Sequence, residues 1–370
     1  MSKKKILTVV GTRPEIIRLS SIIKKLDQCF EHHLVHTNQN YDYHLKDVFL
    51  KDFNIKPNYT FEIKSNSVID NISRILTKVD QLIKKIKPDA FLILGDTNSS
   101  LSAISAKKNK IPIFHIEAGN RCYDQRVPEE INRKLIDHLS DINITYSQVA
   151  KENLIRENFD PDKLFKIGSP LYEVFNFYKL KIKKSKILKK MGVKKNNYFL
   201  VSVHREENIE SSKNLAKFFK LLEYLNYNRK EKIIVSTHPR TMKKINQTKL
   251  KNFKNIIFSQ PFSYTDYSNL QINAKYVLSD SGSITEETSI MGLKSINLRN
   301  TNERQEGMSF GTVPMTLFNI DIINQILKNN KPNIQREVDD YESINFSEVF
   351  YNILISYIDY VKENTWRLER

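Results

Sequence analysis

Cysteine is almost missing from this chain: 370 residues carry two, Cys29 and Cys122. Two thiols cannot build a disulfide framework or a cysteine-rich zinc cluster. Long apolar runs are missing too. None approaches the roughly 18 residues of a membrane span, so no insertion into a bilayer is expected. The segment MSKKKILTVVG has lysines and a short apolar run, then leads straight into GTRPE without a small-residue cleavage site. It reads as the first buried strand of a cytoplasmic protein rather than as a signal peptide. Neither GxGxxG nor GxxxxGK followed by Ser or Thr occurs, which speaks against dinucleotide redox chemistry and P-loop ATP chemistry. No repeat has solenoid spacing.

Positive charge is plentiful: 59 Lys and Arg against 42 Asp and Glu, a net charge of +17. The lysines are spread along the chain, and runs such as KIKKSKILKK (181–190) and KNNK (328–331) read as solvated faces. No basic motif is interleaved with aromatics, so nucleic acid is not an expected partner. Four of the eight histidines fall in HHLVHTNQNYDYH (32–44), but their spacing fits neither a zinc finger nor HExxH, and no metal is expected.

Apolar, β-branched runs alternate with amphipathic stretches of helix length, which implies βαβ units and parallel sheets. Strands are expected near 6–10, 32–37, 90–95, 111–117 and 142–147, and again near 198–204, 232–238, 255–260, 276–280 and 295–299. The expected architecture is two α/β domains, residues 1–168 and 169–345, with a joint near IGSPLYEVF (167–175). The tail 346–370 carries an amphipathic helix with apolar residues at a 3.6-residue period.

Open parallel sheets bind ligands beyond the carboxyl ends of their strands. The unusual residues of this chain cluster at those ends. GTRPE follows the first strand, GDTNSS follows AFLILG, and DSGS follows YVLS, while His204 and His238 end two further strands. The densest cluster is HIEAGNRCYDQRVPEEINRKLIDH (115–138), where His115, Glu117, Arg121, Asp124, Arg126, Glu129 and Glu130 lie within sixteen residues. A core does not need carboxylates crowded with arginines at a strand end; acid–base chemistry beside an anion does. Glu117 directly follows an apolar strand, and a carboxyl drawn out of water holds its proton more tightly, as a general acid or base requires. Pro128 begins a helix with Ile131, Leu135, Ile136 and Leu139 as its expected buried stripe, and Glu129 and Glu130 suit its first turn. Asp96 is equally placed to cap the next helix or to act in catalysis. Cys122 lies in the charged loop, but a thiol nucleophile needs a dedicated base, and a small packed neighbour is the simpler reading.

Arg13 stands in a turn into a helix, where a guanidinium can fork onto phosphate. Ser281, Gly282 and Ser283 precede another helix whose first turn offers free N–H groups, an arrangement suited to a diphosphate. Glu286 and Glu287 follow, placed for the helix dipole or a sugar hydroxyl, and Arg299 and Arg304 supply positive charge nearby.

Taken in order, GTRPEIIR, GDTNSS, HIEAGNR, PEEINR, HREEN, DSGSITEE and NERQEG make the chain resemble the non-hydrolysing UDP-N-acetylglucosamine 2-epimerase family over essentially its whole length. The resemblance implies two Rossmann-like domains facing a cleft in a GT-B arrangement, a C-terminal helix crossing back to the first domain, and a homodimer. It implies elimination and re-addition of UDP across C1–C2, with no cofactor. By motif position Asp96, Glu117 and Glu129 would be the acid–base carboxylates and His204 a proton donor or phosphate partner. Arg18 would stand where a catalytic-site lysine is usual. Arg13, Ser281, Gly282, Ser283 and Arg304 would hold the diphosphate, His238 would belong to the UDP and sugar site, Glu287 would bind the ribose, and Tyr267 would stack on uracil. AGNRCYDQRVPEEINR, HREEN and SQPFSYTDYSNL resemble the branch that forms UDP-N-acetyl-L-fucosamine from UDP-2-acetamido-2,6-dideoxy-L-talose for capsule or O-antigen. UDP-N-acetylglucosamine/UDP-N-acetylmannosamine epimerisation and GT-B glycosyl transfer are the alternatives.

Overall fold

A computed structural model describes residues 3–38, 49–63, 65, 67–237, 239–246, 248, 250, 253–329 and 337–368. His238 and residues 39–48 of the histidine-rich segment lie outside the described residues. The chain forms two compact units, Met1–Asn176 with Asp340–Arg370 and Phe177–Asp339.

The first unit holds a seven-stranded parallel sheet in the order β3-β2-β1-β4-β5-β6-β7. Its strands are β1 (Lys5–Val10), β2 (Glu31–His36), β3 (Tyr59–Thr60), β4 (Ala90–Leu94), β5 (Ile113–Ile116), β6 (Ile142–Thr145) and β7 (Leu164–Lys166). The central strands are continuous apolar runs because both their faces are covered, as in β4, where every residue of AFLIL is buried. Helix α1 (Arg13–Cys29) follows β1, and α2 (Val68–Ile86) packs Ile75, Val79, Leu82, Ile83 and Ile86 into the same core. Helix α3 (Pro128–Leu139) precedes β6, and α4 (Gln148–Arg156) follows it.

The helix Phe346–Asn364 belongs to this first unit. It packs on α1, sets Phe350 edge-on to Phe114 at 6.4 Å, and is tied by Lys4–Asp359 at 2.6 Å and Lys362–Asp89 at 2.6 Å. The tail thus returns to the first unit, as the resemblance implies.

The second unit holds a five-stranded parallel sheet in the order β10-β9-β8-β11-β12. The strands are β8 (Tyr198–Ser202), β9 (Lys232–Ser236), β10 (Ile256–Ser259), β11 (Tyr276–Ser279) and β12 (Ser295–Asn297). Helix α5 (Tyr264–Asn273) precedes β11 and α6 (Ile284–Met291) follows it. Both sheets reverse their winding direction beside the first strand, between β1 and β4 and between β8 and β11. Such switch points open a crevice at the carboxyl ends of the strands.

All ten expected strands are present, and the two added ones, β3 and β7, are edge strands of two and three residues. The expected face of α3 is corrected. Ile131 and Leu135 are 51% and 50% exposed, while Glu130, Asn132, Arg133, Ile136 and Asp137 are buried. Ion pairing satisfies this polar face, so the helix turns its charges inward and two of its apolar residues outward.

Candidate active site

The first unit gathers its unusual residues at the β1/β4 switch point. The chain leaves β1 at Gly11 and enters α1, where Glu15 reaches back over the turn. Glu15 Oε2 accepts hydrogen bonds from Gly11 N at 3.0 Å, Thr12 N at 2.6 Å and Thr12 Oγ1 at 2.7 Å. Its Oε1 accepts one from Thr97 Oγ1 at 3.1 Å, which ties the GTRPE turn to the GDTNSS turn after β4. Burial dominates the titration of this carboxyl and lifts it to about 7, against the lowering effect of those bonds. One turn further along α1, Arg18 is buried with its Nε 3.6 Å from Glu117 Oε2. Arg13 lies at the start of α1, its guanidinium carbon 5.3 Å from the centre of the Phe49 ring.

Glu117 directly follows β5 and has φ 73°, a left-handed conformation that is uncommon outside glycine. Residues held in sparsely populated backbone regions cluster at functional sites. Asp96 follows β4 through Gly95. Its Oδ2 accepts from Arg133 Nε at 3.0 Å and from Arg133 Nη2 at 2.7 Å, while Arg133 Nη1 donates to Glu130 Oε2 at 2.8 Å. Arg133 therefore joins Asp96 to the first turn of α3. The motif PEEINR contains this arginine, but its role depends on a tertiary contact that spacing does not reveal.

The two glutamates of that first turn divide. Glu129 is half-buried. Glu130 is buried and organises the loop before it, accepting from Cys122 N at 3.0 Å, Tyr123 N at 3.0 Å and Cys122 Sγ at 3.2 Å. Burial pushes the Cys122 thiol up to about 11, with Glu130 adding to the effect, so it is a packed neighbour and a poor nucleophile.

In the second unit the β8/β11 switch point brings together two other motifs. Asp280, fully buried at the end of β11, accepts from His204 N at 3.1 Å, Arg205 N at 3.0 Å and Asn208 Nδ2 at 3.0 Å. His204 Nδ1 lies 3.3 Å from Asp280 Oδ1, which leaves Nε2 on the far side of the ring. The turn Ser281–Ser283 then enters α6. Ser281 Oγ and Ser283 Oγ are 2.8 Å apart, Ser283 Oγ donates to Glu287 Oε1 at 2.7 Å, and Gln271 Nε2 donates to Glu287 Oε2 at 2.6 Å. Tyr267 precedes Gln271 by one turn of α5, so both project from one side of that helix.

The cations behind this turn are committed to carboxylates. Arg304 is buried, with Nη2 2.9 Å from Glu286 Oε2 and Nη1 3.4 Å from Glu303 Oε1. Arg205 Nη2 lies 3.6 Å from the same Glu303 oxygen. A Cβ on Gly282 would stand 2.1 Å from that oxygen, so the turn passes directly over Glu303 and only glycine fits there.

In the first unit Arg18 thus faces Glu117, while Asp96, just past the neighbouring strand β4, is tied to α3 through Arg133. In the second, His204 is held on Asp280, and the Ser281–Ser283 turn that follows Asp280 is joined to Glu287. Among the described residues no three His, Cys, Asp or Glu side chains are grouped to hold a metal ion, and no helix is long and apolar enough to cross a membrane.

Residues 24–354 match the family model described as UDP-N-acetylglucosamine 2-epimerase. A UDP-N-acetylglucosamine 2-epimerase homologue of Methanococcus maripaludis is 37% identical over 307 residues, 81% of this chain and 85% of that protein. The structure of a UDP-N-acetylglucosamine 2-epimerase from Rickettsia bellii superposes with a TM-score of 0.90 at 44% identity, covering 98% of this chain and 99% of that one. The Methanocaldococcus jannaschii UDP-GlcNAc 2-epimerase, in complex with UDP-GlcNAc and UDP, gives a TM-score of 0.87 at 31% identity, covering 95% of this chain and 99% of that one.

Proposed function

Because the chain belongs to the UDP-N-acetylglucosamine 2-epimerase family, we propose that it inverts C2 of a UDP-2-acetamido sugar by eliminating UDP and adding it back. The observation that carries the chemistry is Arg18 facing Glu117 just past the end of β5, with Asp96 just past the end of the adjacent strand β4.

The C2 hydrogen of a nucleotide sugar is not adjacent to a carbonyl, so direct removal of its proton is prohibitive. Elimination avoids the problem. A base takes the C2 proton while the C1–O bond breaks and its electron pair leaves on the diphosphate, forming a C1=C2 double bond. In the return step a diphosphate oxygen bonds C1, and a proton reaches C2 from the opposite face. Inversion therefore needs proton-transfer groups on two faces and a charge that stabilises the departing diphosphate, often the largest catalytic contribution. The route calls for neither NAD nor a metal.

Asp96, Glu117 and Glu129 are the acid–base carboxylates of this reading. Arg18 stays charged throughout, so it stabilises an anion and does not carry the proton. His204 is the proton donor or phosphate partner, its Nδ1 side turned to Asp280. Arg13 and the Ser281–Gly282–Ser283 turn hold the diphosphate with the positive charge of Arg304, His238 belongs to the UDP and sugar site, Glu287 takes the ribose, and Tyr267 stacks on uracil.

Two substrates compete. Arg18 in place of lysine, GDTNSS and the loop from Asn120 to Arg126 favour the deoxy-L-sugar, UDP-2-acetamido-2,6-dideoxy-L-talose, as precursor of UDP-N-acetyl-L-fucosamine for capsule or O-antigen. The names of the relatives favour UDP-N-acetylglucosamine and its C2 epimer. NMR of purified protein with each UDP-sugar decides between them. Mass spectrometry of product formed in D2O tests the mechanism: solvent deuterium at C2 is the expected result, and deuterium-free product counts against elimination. The same reading expects a cytoplasmic homodimer, which light scattering of the purified protein tests for its oligomeric state.

A further inference from the structure

The segment 115–121 carries a second group of charges that the chemistry above does not use. His115, Arg121 and Asp137 are fully buried, and all three meet. His115 Nδ1 lies 2.9 Å from Asp137 Oδ1. Arg121 Nη1 donates to Asp137 Oδ2 at 2.7 Å, and the same guanidinium forks onto Glu157 at 2.8 and 2.6 Å. Gly119 N donates to Asp137 Oδ2 at 3.2 Å. On its other side, His115 Nε2 donates to Gly95 O at 3.0 Å.

These contacts bracket the two carboxylates of the site. His115 is two residues before Glu117, and Gly119 and Arg121 are two and four residues after it. Gly95 is the residue before Asp96. All of these points return, directly or through His115, to one carboxylate on α3, the helix that carries Glu129, Glu130 and Arg133. Burial works against ionisation of Asp137, but His115 and Arg121 outweigh it and hold its carboxyl below the ordinary value.

A buried ion network of this kind is a costly way to fill space, because apolar groups of similar volume are often as stable or more so. The left-handed backbone of Glu117 is unfavourable and persists only where its surroundings over-determine it. The network supplies that constraint.

We propose that Asp137 is a positioning residue for the epimerisation: with His115, Arg121 and Glu157 it pins the strand ends of β4 and β5 to α3 and so fixes Asp96 and Glu117 relative to Glu129. This rests on the acid–base reading given above. A structural role alone would lower stability. A positioning role also changes how each turnover ends, because a misplaced acid fails to deliver the second proton and the enzyme releases the unsaturated sugar and UDP.

The test compares Asp137→Asn, Glu157→Gln and Glu117→Gln with the wild type, reading kcat, KM, UDP affinity by calorimetry, and released glycal by NMR. Asp137→Asn keeps an acceptor for Gly119 N but loses the charge. Its kcat is expected to fall about 30- to 100-fold, as small misplacements do, with KM and UDP affinity within about threefold and a larger share of turnovers released as glycal. Glu157→Gln, at the partly exposed end of the network, is expected to show the same pattern at about a threefold to tenfold loss in kcat. It decides the question if Asp137→Asn does not fold. Wild-type kcat and glycal release in a folded Asp137→Asn or in Glu157→Gln, beside an inactive Glu117→Gln, would overturn the positioning role alone. An active Glu117→Gln would instead overturn the acid–base reading on which it rests.

Discussion

The Arg18 guanidinium and the Glu117 carboxylate face each other, Nε to Oε2 at 3.6 Å, one on the first helix after β1 and the other at the end of β5. The pair puts a permanent cation beside a candidate acid–base group. Arg18→Met removes the charge and keeps much of the length, so kcat is expected to fall about 100-fold or more, while UDP affinity measured by calorimetry stays near wild type. Arg18→Lys restores the residue expected from the wider family and should keep kcat within about tenfold. Equal losses in both variants would assign the effect to guanidinium geometry instead of charge.

Glu117→Gln keeps the shape and hydrogen-bonding oxygen of the side chain but cannot take or give the C2 proton. Turnover is expected to fall by at least about 1,000-fold, within the span of general acid–base contributions, and UDP still binds. Near-normal turnover would mean that another group acts at C2.

Glu15 makes stability depend on pH. Its carboxyl titrates at about 7 in the fold against 4.5 for the ordinary group, because burial outweighs its four donors. The folded protein therefore holds this proton more tightly than the unfolded chain does. The stabilisation is fully present below about pH 4.5 and is lost as the pH rises through about 7. Its full size is on the order of 3 kcal/mol. Glu15→Gln can still accept from the Gly11–Thr12 turn and can donate to Thr97 Oγ1. Urea unfolding across this pH range should show a decline in the wild type that is flattened in Glu15→Gln; parallel pH profiles would assign the titration elsewhere.

Cys122 sits in the loop between Glu117 and α3 with its Sγ 3.2 Å from Glu130 Oε2. A thiol lifted to about 11 is almost wholly protonated at neutral pH and reacts slowly with alkylating agents. Cys122→Ser should keep kcat within about twofold, since the hydroxyl can still donate to Glu130. Rapid iodoacetamide inactivation with protection by UDP would contradict this.

The sheets were legible in the sequence because their inner strands are short, largely apolar runs, and the unusual motifs marked the carboxyl ends of those strands. The edge strands Tyr59–Thr60 and Leu164–Lys166 are too short to leave such a pattern. The face of α3 misled for a physical reason. Apolar periodicity points to Ile131 and Leu135, but the buried side is carried by Arg133 and Asp137, whose cost is met by partners 37 and 16 residues away, Asp96 and Arg121. Adjacent glutamates also look alike in one dimension. Only the fold shows that Glu130 is spent on Cys122, Tyr123 and Arg133 while Glu129 keeps a half-exposed position.

Gly282 offers a test of the second unit that leaves the carboxylates of the first untouched. A Cβ there would meet Glu303 Oε1 at 2.1 Å and Arg205 Nη2 at 3.1 Å. Glu303 cannot swing aside cheaply, because Arg299, Arg304 and Arg205 all hold it. Gly282→Ala must therefore move the Ser281–Ser283 turn, the group assigned to the diphosphate, and UDP affinity should fall about tenfold or more, the scale of one lost charge-assisted hydrogen bond. Gly292→Ala is the control. That glycine ends α6 with φ 64° and nothing within 4 Å of its missing Cβ, so alanine there should cost about 1 kcal/mol of stability and leave UDP affinity unchanged. Calorimetry with UDP and urea unfolding on both variants separate the two effects; equal UDP affinities would remove the turn from the nucleotide site.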